Sequence, residues 1–223
     1  MPIRKSYAEH GDACATAHGI ELIGDVWTYP VVREMFLGPK RFSELASLLH
    51  GITPAVLTAR LREQEAKGIV VPTAFAPPAL GKGYELTPWG HELEGPLEAV
   101  AQWAHGSPSW TPEGGLTPDA AVLAMKTMSR GIEHRGSNPL AVQLLLADGR
   151  CAAPVTYGYA LTWDEQGLAV TRGDHPNAAA TLRVDSTAWA QTLFAGAALP
   201  EGAATGAREV IDALIARYSA ARS

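Results

Sequence analysis

Six cations fall within residues 38–83: Lys40, Arg41, Arg60, Arg62, Lys67 and Lys82. Glu44, Glu63 and Glu65 are the carboxylates of that window, so it holds a surplus of three positive charges in a chain of net charge −5. A local cluster of cations suits phosphate even where the whole protein is acidic. A surplus of this size also fits ordinary scatter, so the neighbouring residues must decide. Thr53, Pro54, Ala55 and Thr58 are small side chains at the start of one helical stretch. Small residues there let a helix approach base edges, and Arg60 and Arg62 behind them can reach phosphate or guanine. Lys40, Arg41 and Ser43 open the preceding helical stretch, where backbone N–H groups and cations suit phosphate. Lys82 sits in a hairpin, placed to touch a flanking groove or backbone.

The elements that must hold these residues follow from periodicity and punctuation. Residues 12–24 read as a short apolar helix ended at Gly24-Asp25. Asp25 is the expected N-cap of a second helix through Val31, Val32, Met35 and Phe36, with Gly38-Pro39 as its stop. Phe42, Leu45, Leu48 and Leu49 are spaced as the buried stripe of a third helix, and His50-Gly51-Ile52 is a tight turn. Thr53-Pro54 reads as N-cap plus first-turn proline, and Lys67-Gly68 as the end of the helix it opens. Residues 69–71 and 84–86 read as two short strands around a Pro-containing loop. Thr87-Pro88 opens a further helix with Leu93, Leu97, Val100 and Trp103 as an apolar stripe. Helix, short turn and second helix together make a helix-turn-helix, and the strands make its wing.

The residues in order resemble a known family. Ile23-Gly24-Asp25-Val26-Trp27, Arg33-Glu34, Phe36 through Leu45, Gly51-Ile52-Thr53, Leu57 through Glu63, Gly68-Ile69-Val70, Tyr84 through Thr87 and Gly90 look like the HxlR-type winged helix-turn-helix regulators. The resemblance covers residues 10–105. It implies double-stranded DNA as partner, a homodimer, and flanking helices at 13–22 and 88–104 that build the dimer interface. For any one residue of the stripe from Leu93 to Trp103, packing within the monomer is an equal alternative. Members of the family often carry a cysteine near Cys14, some as a redox sensor; no second cysteine stands in this domain, and a buried structural thiol is the favoured reading. The stretch from Phe75 to Leu80 is apolar and Pro-rich where relatives often carry charges, which shifts weight from the wing to Arg41, Thr58 and Arg62.

Residues 107–118 read as a linker rich in Pro and Gly, dividing a DNA-binding and dimerisation domain at 1–106 from a second domain at 119–223. In the second domain strands are expected around residues 140–146, 159–163, 168–171 and 180–184, and helices at 119–133, 186–195 and 207–220. The fold class is α+β: an N-terminal winged helix-turn-helix, then a C-terminal α+β domain with a mostly antiparallel sheet. Val142 through Asp148, the Trp163-Asp164…Gly167-Leu168-Ala169-Val170 hairpin and Ala180 through Asp185 before a helix with Trp189 resemble sterol-carrier-protein type-2-like domains. That resemblance implies a sheet packed on helices and an apolar tunnel. Met125, Met128, Tyr157, Tyr159, Trp163, Trp189, Phe194 and Leu214 are the candidates to line it, with plain core packing as the alternative for each.

Function classes fall away on the same reading. At 47% hydrophobic and 18% charged residues, the chain suits a globular protein with a buried core. The two cysteines, Cys14 and Cys151, suggest a reducing cytoplasm, and no His/Cys cluster has zinc spacing. No apolar run is long enough for a membrane span, and no secretory leader follows Arg4 and Lys5. His134, His175, Asp174 and Asp185 fit no nucleophile, metal or phosphate motif, so neither an enzyme nor a cofactor is expected. What remains is a sequence-specific transcriptional regulator whose second domain binds an apolar small molecule. The alternatives are a regulator whose second domain serves assembly or partner binding only, or a lipid carrier.

Overall fold

The computed structural model describes residues 7–75, 80–109, 113–130, 132 and 139–220. The centre of the apolar wing stretch (76–79), linker residues 110–112, and Glu133 and His134 lie outside the described residues. The chain divides into two compact units between Leu93 and Glu94, ahead of the boundary expected at residue 106.

The first unit is built from helices α1 (Ala15–Ile23), α2 (Thr28–Arg33), α3 (Phe42–Leu48) and α4 (Pro54–Ala66), the hairpin β1 (Val70–Phe75) and β2 (Gly81–Leu86), and helix α5 (Pro88–His91). Helix α2 is shorter than its apolar pattern predicts. The Asp25 carboxylate accepts the N–H of Trp27 in the turn before α2, so it does not cap the helix. Beyond Arg33 the bonds from Met35 N–H to the Val32 carbonyl and from Phe36 N–H to the Arg33 carbonyl span three residues, and Gly38 at φ +128° turns the chain away.

Helix α3 starts with the Glu44 side chain reaching back to accept the Arg41 N–H on Oε2 at 2.9 Å. Thr53 accepts the N–H of Val56 at 3.3 Å, and Pro54 fills a first-turn position that has no intrahelical donor to lose. Leu57 and Leu61 of α4 meet Val31, Val32, Met35, Leu45, Leu48, Ile69 and Leu86 in a fully buried core. Strands β1 and β2 pair antiparallel from Val70↔Leu86 to Phe75↔Gly81. The helix expected from Pro88 to Ala104 breaks after α5. Leu93 N–H bonds only three residues back, and the helix restarts at Glu94, where Pro96 falls in a first turn.

The second unit comprises α6 (Glu94–His105), α7 (Pro118–Ser129), strands β3 (Leu140–Ala147), β4 (Tyr157–Asp164), β5 (Gly167–Arg172), β6 (Ala180–Asp185) and β7 (Ala204–Gly206), and helices α8 (Ser186–Ala190) and α9 (Arg208–Ala220). Helix α6 belongs here rather than with the DNA-binding region. Glu94 pairs with Lys126, Glu98 with Arg130, and Gln102 donates to the Thr127 carbonyl at 3.3 Å.

The strand order is β5-β4-β3-β6-β7. The expected mostly antiparallel sheet is a mixed one, because β3 and β6 pair parallel at its centre. The β4–β5 hairpin occupies one side of β3, so the chain crosses over to lay β6 on the other side, in the same direction as β3. Strand β7 lies in a stretch whose Gly and Ala content reads as loop; three pairs to β6 hold it. Val142, Leu144 and Leu146 alternate inward beside Tyr159, Leu161 and Trp163, and Ile211, Leu214 and Tyr218 of α9 complete the core.

Candidate nucleic-acid interface

Helix α4 divides cleanly by face. Leu57, Leu61 and Gln64 are buried, and Gln64 Nε2 donates to Thr28 Oγ1 at 3.5 Å, fixing α4 on α2. Thr53, Pro54 and Ala55 are exposed at the leading turn, and Arg62 is exposed two turns on. Thr58 is half-buried and donates its hydroxyl proton to the Pro54 carbonyl at 2.8 Å. These expected residues share the solvent side of one helix.

The cations split into three groups. Arg60 is held by carboxylates, 2.6 Å from Glu63 and 3.4 Å from Asp25. Lys67 is likewise engaged, 2.7 Å from Glu63 and bonded to the carbonyls of Glu21 and Leu22. Arg62 and Lys82 are exposed, and among the described residues no hydrogen bond or ion pair engages either side chain.

Lys40 corrects the sequence expectation: it is 1% exposed. Its N–H and C=O both pair with Tyr84 at 2.9 Å, which draws the residue into the base of the wing and withdraws its side chain from any phosphate. Arg41 lies against the hairpin. Its guanidinium carbon stands 4.4 Å over the Phe75 ring, and a Cβ on Gly81 would collide with it. Gly83 is also obligatory in this corner, because a Cβ would meet both the Phe75 ring and the Lys40 carbonyl. Ser43 is exposed near the start of α3.

Sequence reasoning passed over Val56 and Ala59. Both are exposed, and Ala55, Ala59 and Arg62 follow one another at helical spacing on a single face. The signal was present: position 59 is one turn beyond Ala55, on the side opposite Leu57 and Leu61.

Cys14 is exposed at the N-cap of α1, contrary to the buried thiol favoured from the sequence. Hydrogen bonds from the backbone of Ala17 and then Thr16 hold its thiol below the usual range.

The eight candidate lining residues of the second unit lie mostly inside it. Met125, Tyr159, Trp163, Trp189 and Leu214 are each at most 1% exposed; Met128, Tyr157 and Phe194 are half-buried. Trp189 Nε1 donates to Met125 Sδ at 3.3 Å. Tyr218 donates to the Met125 carbonyl at 2.9 Å and meets the rings of Trp163 and Phe194 edge-on. Tyr159 Oη donates to buried Asp119, which also pairs with Arg172, and Arg172 lies over the Tyr157 ring. Burial pushes the Tyr218 hydroxyl well above the ordinary phenol range.

The HxlR-like helix-turn-helix family matches residues 22–110. The chain is 37% identical over 86 residues to the uncharacterised HTH-type transcriptional regulator YtcD of Bacillus subtilis (strain 168), covering 38% of this chain and 67% of that protein. It is 34% identical over 94 residues to the uncharacterised HTH-type transcriptional regulator sll1512 of Synechocystis, 41% of this chain and 68% of the other. It is 30% identical over 109 residues to the uncharacterised HTH-type transcriptional regulator YybR of Bacillus subtilis (strain 168), 48% of this chain and 86% of the other. The winged helix-turn-helix of the first unit and these matches agree, and the chain belongs to the HxlR-like helix-turn-helix family of DNA-binding transcriptional regulators.

Proposed function

We propose that this chain is a sequence-specific, cytoplasmic regulator that binds a pseudo-palindromic operator as a homodimer. Helix α4 enters the major groove by its N-terminal turns; Arg62 and Thr58 flank the contact, and Arg41, Ser43 and Lys82 serve the phosphates on either side. The single observation that carries this reading is the division of α4. Its inner face is wholly buried, while its leading turns and Arg62 stand exposed. Arg60, engaged with two carboxylates, has a secondary part. A mobility shift with the DNA upstream of the protein's own gene is the test. A sequence-selective shift at moderate salt is expected, and binding equal to that of scrambled DNA would overturn the reading.

The finer proposal places an apolar small-molecule effector in the second unit, taken as a sterol-carrier-like domain at 119–223. Partly exposed Met128, Tyr157 and Phe194 support an opening to solvent. A lipophilic compound should then raise the melting temperature and change operator affinity together. A second reading also has an observation in its favour. Five of the eight candidate residues are buried against other core side chains, which suits a solid domain for assembly or partner binding. Melting and operator affinity that respond to no lipophilic compound would favour it.

A further inference from the structure

Resting on the reading of α4 as the major-groove helix, we infer that this protein recognises its operator chiefly through thymine methyl groups, read by Ala55, Val56 and Ala59, with Arg62 as the charged reader beside them. The argument begins with what the leading turns can offer. Thr53, at the cap ahead of the first turn, accepts the N–H of Val56, and half-buried Thr58 donates its hydroxyl proton to the Pro54 carbonyl, so Thr58 has no proton left for a base acceptor. Arg60 is held by Asp25 and Glu63. No Asn, Gln, Ser or Lys stands among residues 54–62 to read adenine or guanine. What the helix shows to solvent at positions 55, 56 and 59 is therefore methyl groups. Ala55 and Ala59 lie one turn apart on the exposed face, and Val56 keeps 36% of its surface exposed beside them. In the major groove the 5-methyl of thymine is the apolar group that distinguishes its base pair, and small apolar side chains are its partners. Arg62, two turns from Ala55 on that face, is unengaged and long enough for guanine O6 and N7.

The test removes the methyl and nothing else. The full-length chain selects duplexes from a random-sequence library, and the selected duplex is remade with deoxyuridine replacing thymidine one position at a time. Binding should weaken about fourfold at each contacted thymine, the worth of one buried methyl. In Val56→Ala or Ala59→Gly the penalty at one of these positions should vanish, while the penalties at the other positions remain. Deoxyuridine tolerated at every position, in a duplex that ordinary base changes still weaken, would overturn the inference and leave the DNA-binding reading standing. A deoxyuridine penalty unchanged in both variants would overturn it too. Failure to select any sequence would instead remove the reading beneath it.

Discussion

Helix α4 and the sheet of the second unit treat their singled-out residues in opposite ways. On α4 the residues chosen for their chemistry stand at the surface, with Ala55 and Arg62 exposed above a buried leucine face. In the second unit five of the eight residues chosen for a pocket are buried, and Trp163, Trp189 and Tyr159 are among its largest fully buried side chains. The contrast follows from what each residue type tells. A cation or small residue among leucines at helical spacing has only the solvent side to occupy. A Trp or Met is interior whether it lines a cavity or fills one, so its type does not separate the two.

The sharpest way to break the comparison is Trp189→Ala. As a core residue bonded to Met125, its loss should destabilise the second unit by about 3–5 kcal/mol in urea unfolding. A loss under about 1 kcal/mol would instead mark a pocket wall. Next, Arg62→Ala should weaken operator binding by about 1–3 kcal/mol in a fluorescence titration, with little change in melting temperature. Thr53→Ala removes a cap from α4 and should cost about 1 kcal/mol of stability. The smallest effect is expected for Arg60→Ala. Its partners are half-exposed carboxylates, so stability should shift by under about 1 kcal/mol and operator affinity by less than for Arg62→Ala. An Arg60 effect on affinity equal to that of Arg62 would erase the distinction between engaged and free cations.

Much of the first unit was legible because its signals are local. Thr53-Pro54, Thr87-Pro88 and Lys67-Gly68 mark helix ends by their own backbone chemistry, and each stands within a residue of where it was read. Some departures there are local, since Asp25 bonds Trp27 instead of capping α2 and the expected later helix breaks at Leu93, but one involves a partner distant in sequence. Lys40 looks like a surface cation until Tyr84, far along the chain, pairs with its backbone and buries it. Arg60 meets Glu63 at a spacing visible in the sequence, and the fold adds Asp25 beside it. In the second unit strands β3 to β6 were legible from alternation, but β7 was not, since Ala204-Thr205-Gly206 has no apolar period and is a strand only because β6 offers it a free edge.

The sequence alone therefore determined the helix-turn-helix, the Thr53-Pro54 start of α4 and its buried stripe, since each rests on residues within a few turns of one another. Only the tertiary structure decided that Lys40 is buried, where helix α6 belongs, and that β3 and β6 run parallel. Those outcomes depend on which distant segments meet. Pairing across a sheet and ion pairs between elements are set by contacts between residues far apart in the chain, and local spacing carries no record of them.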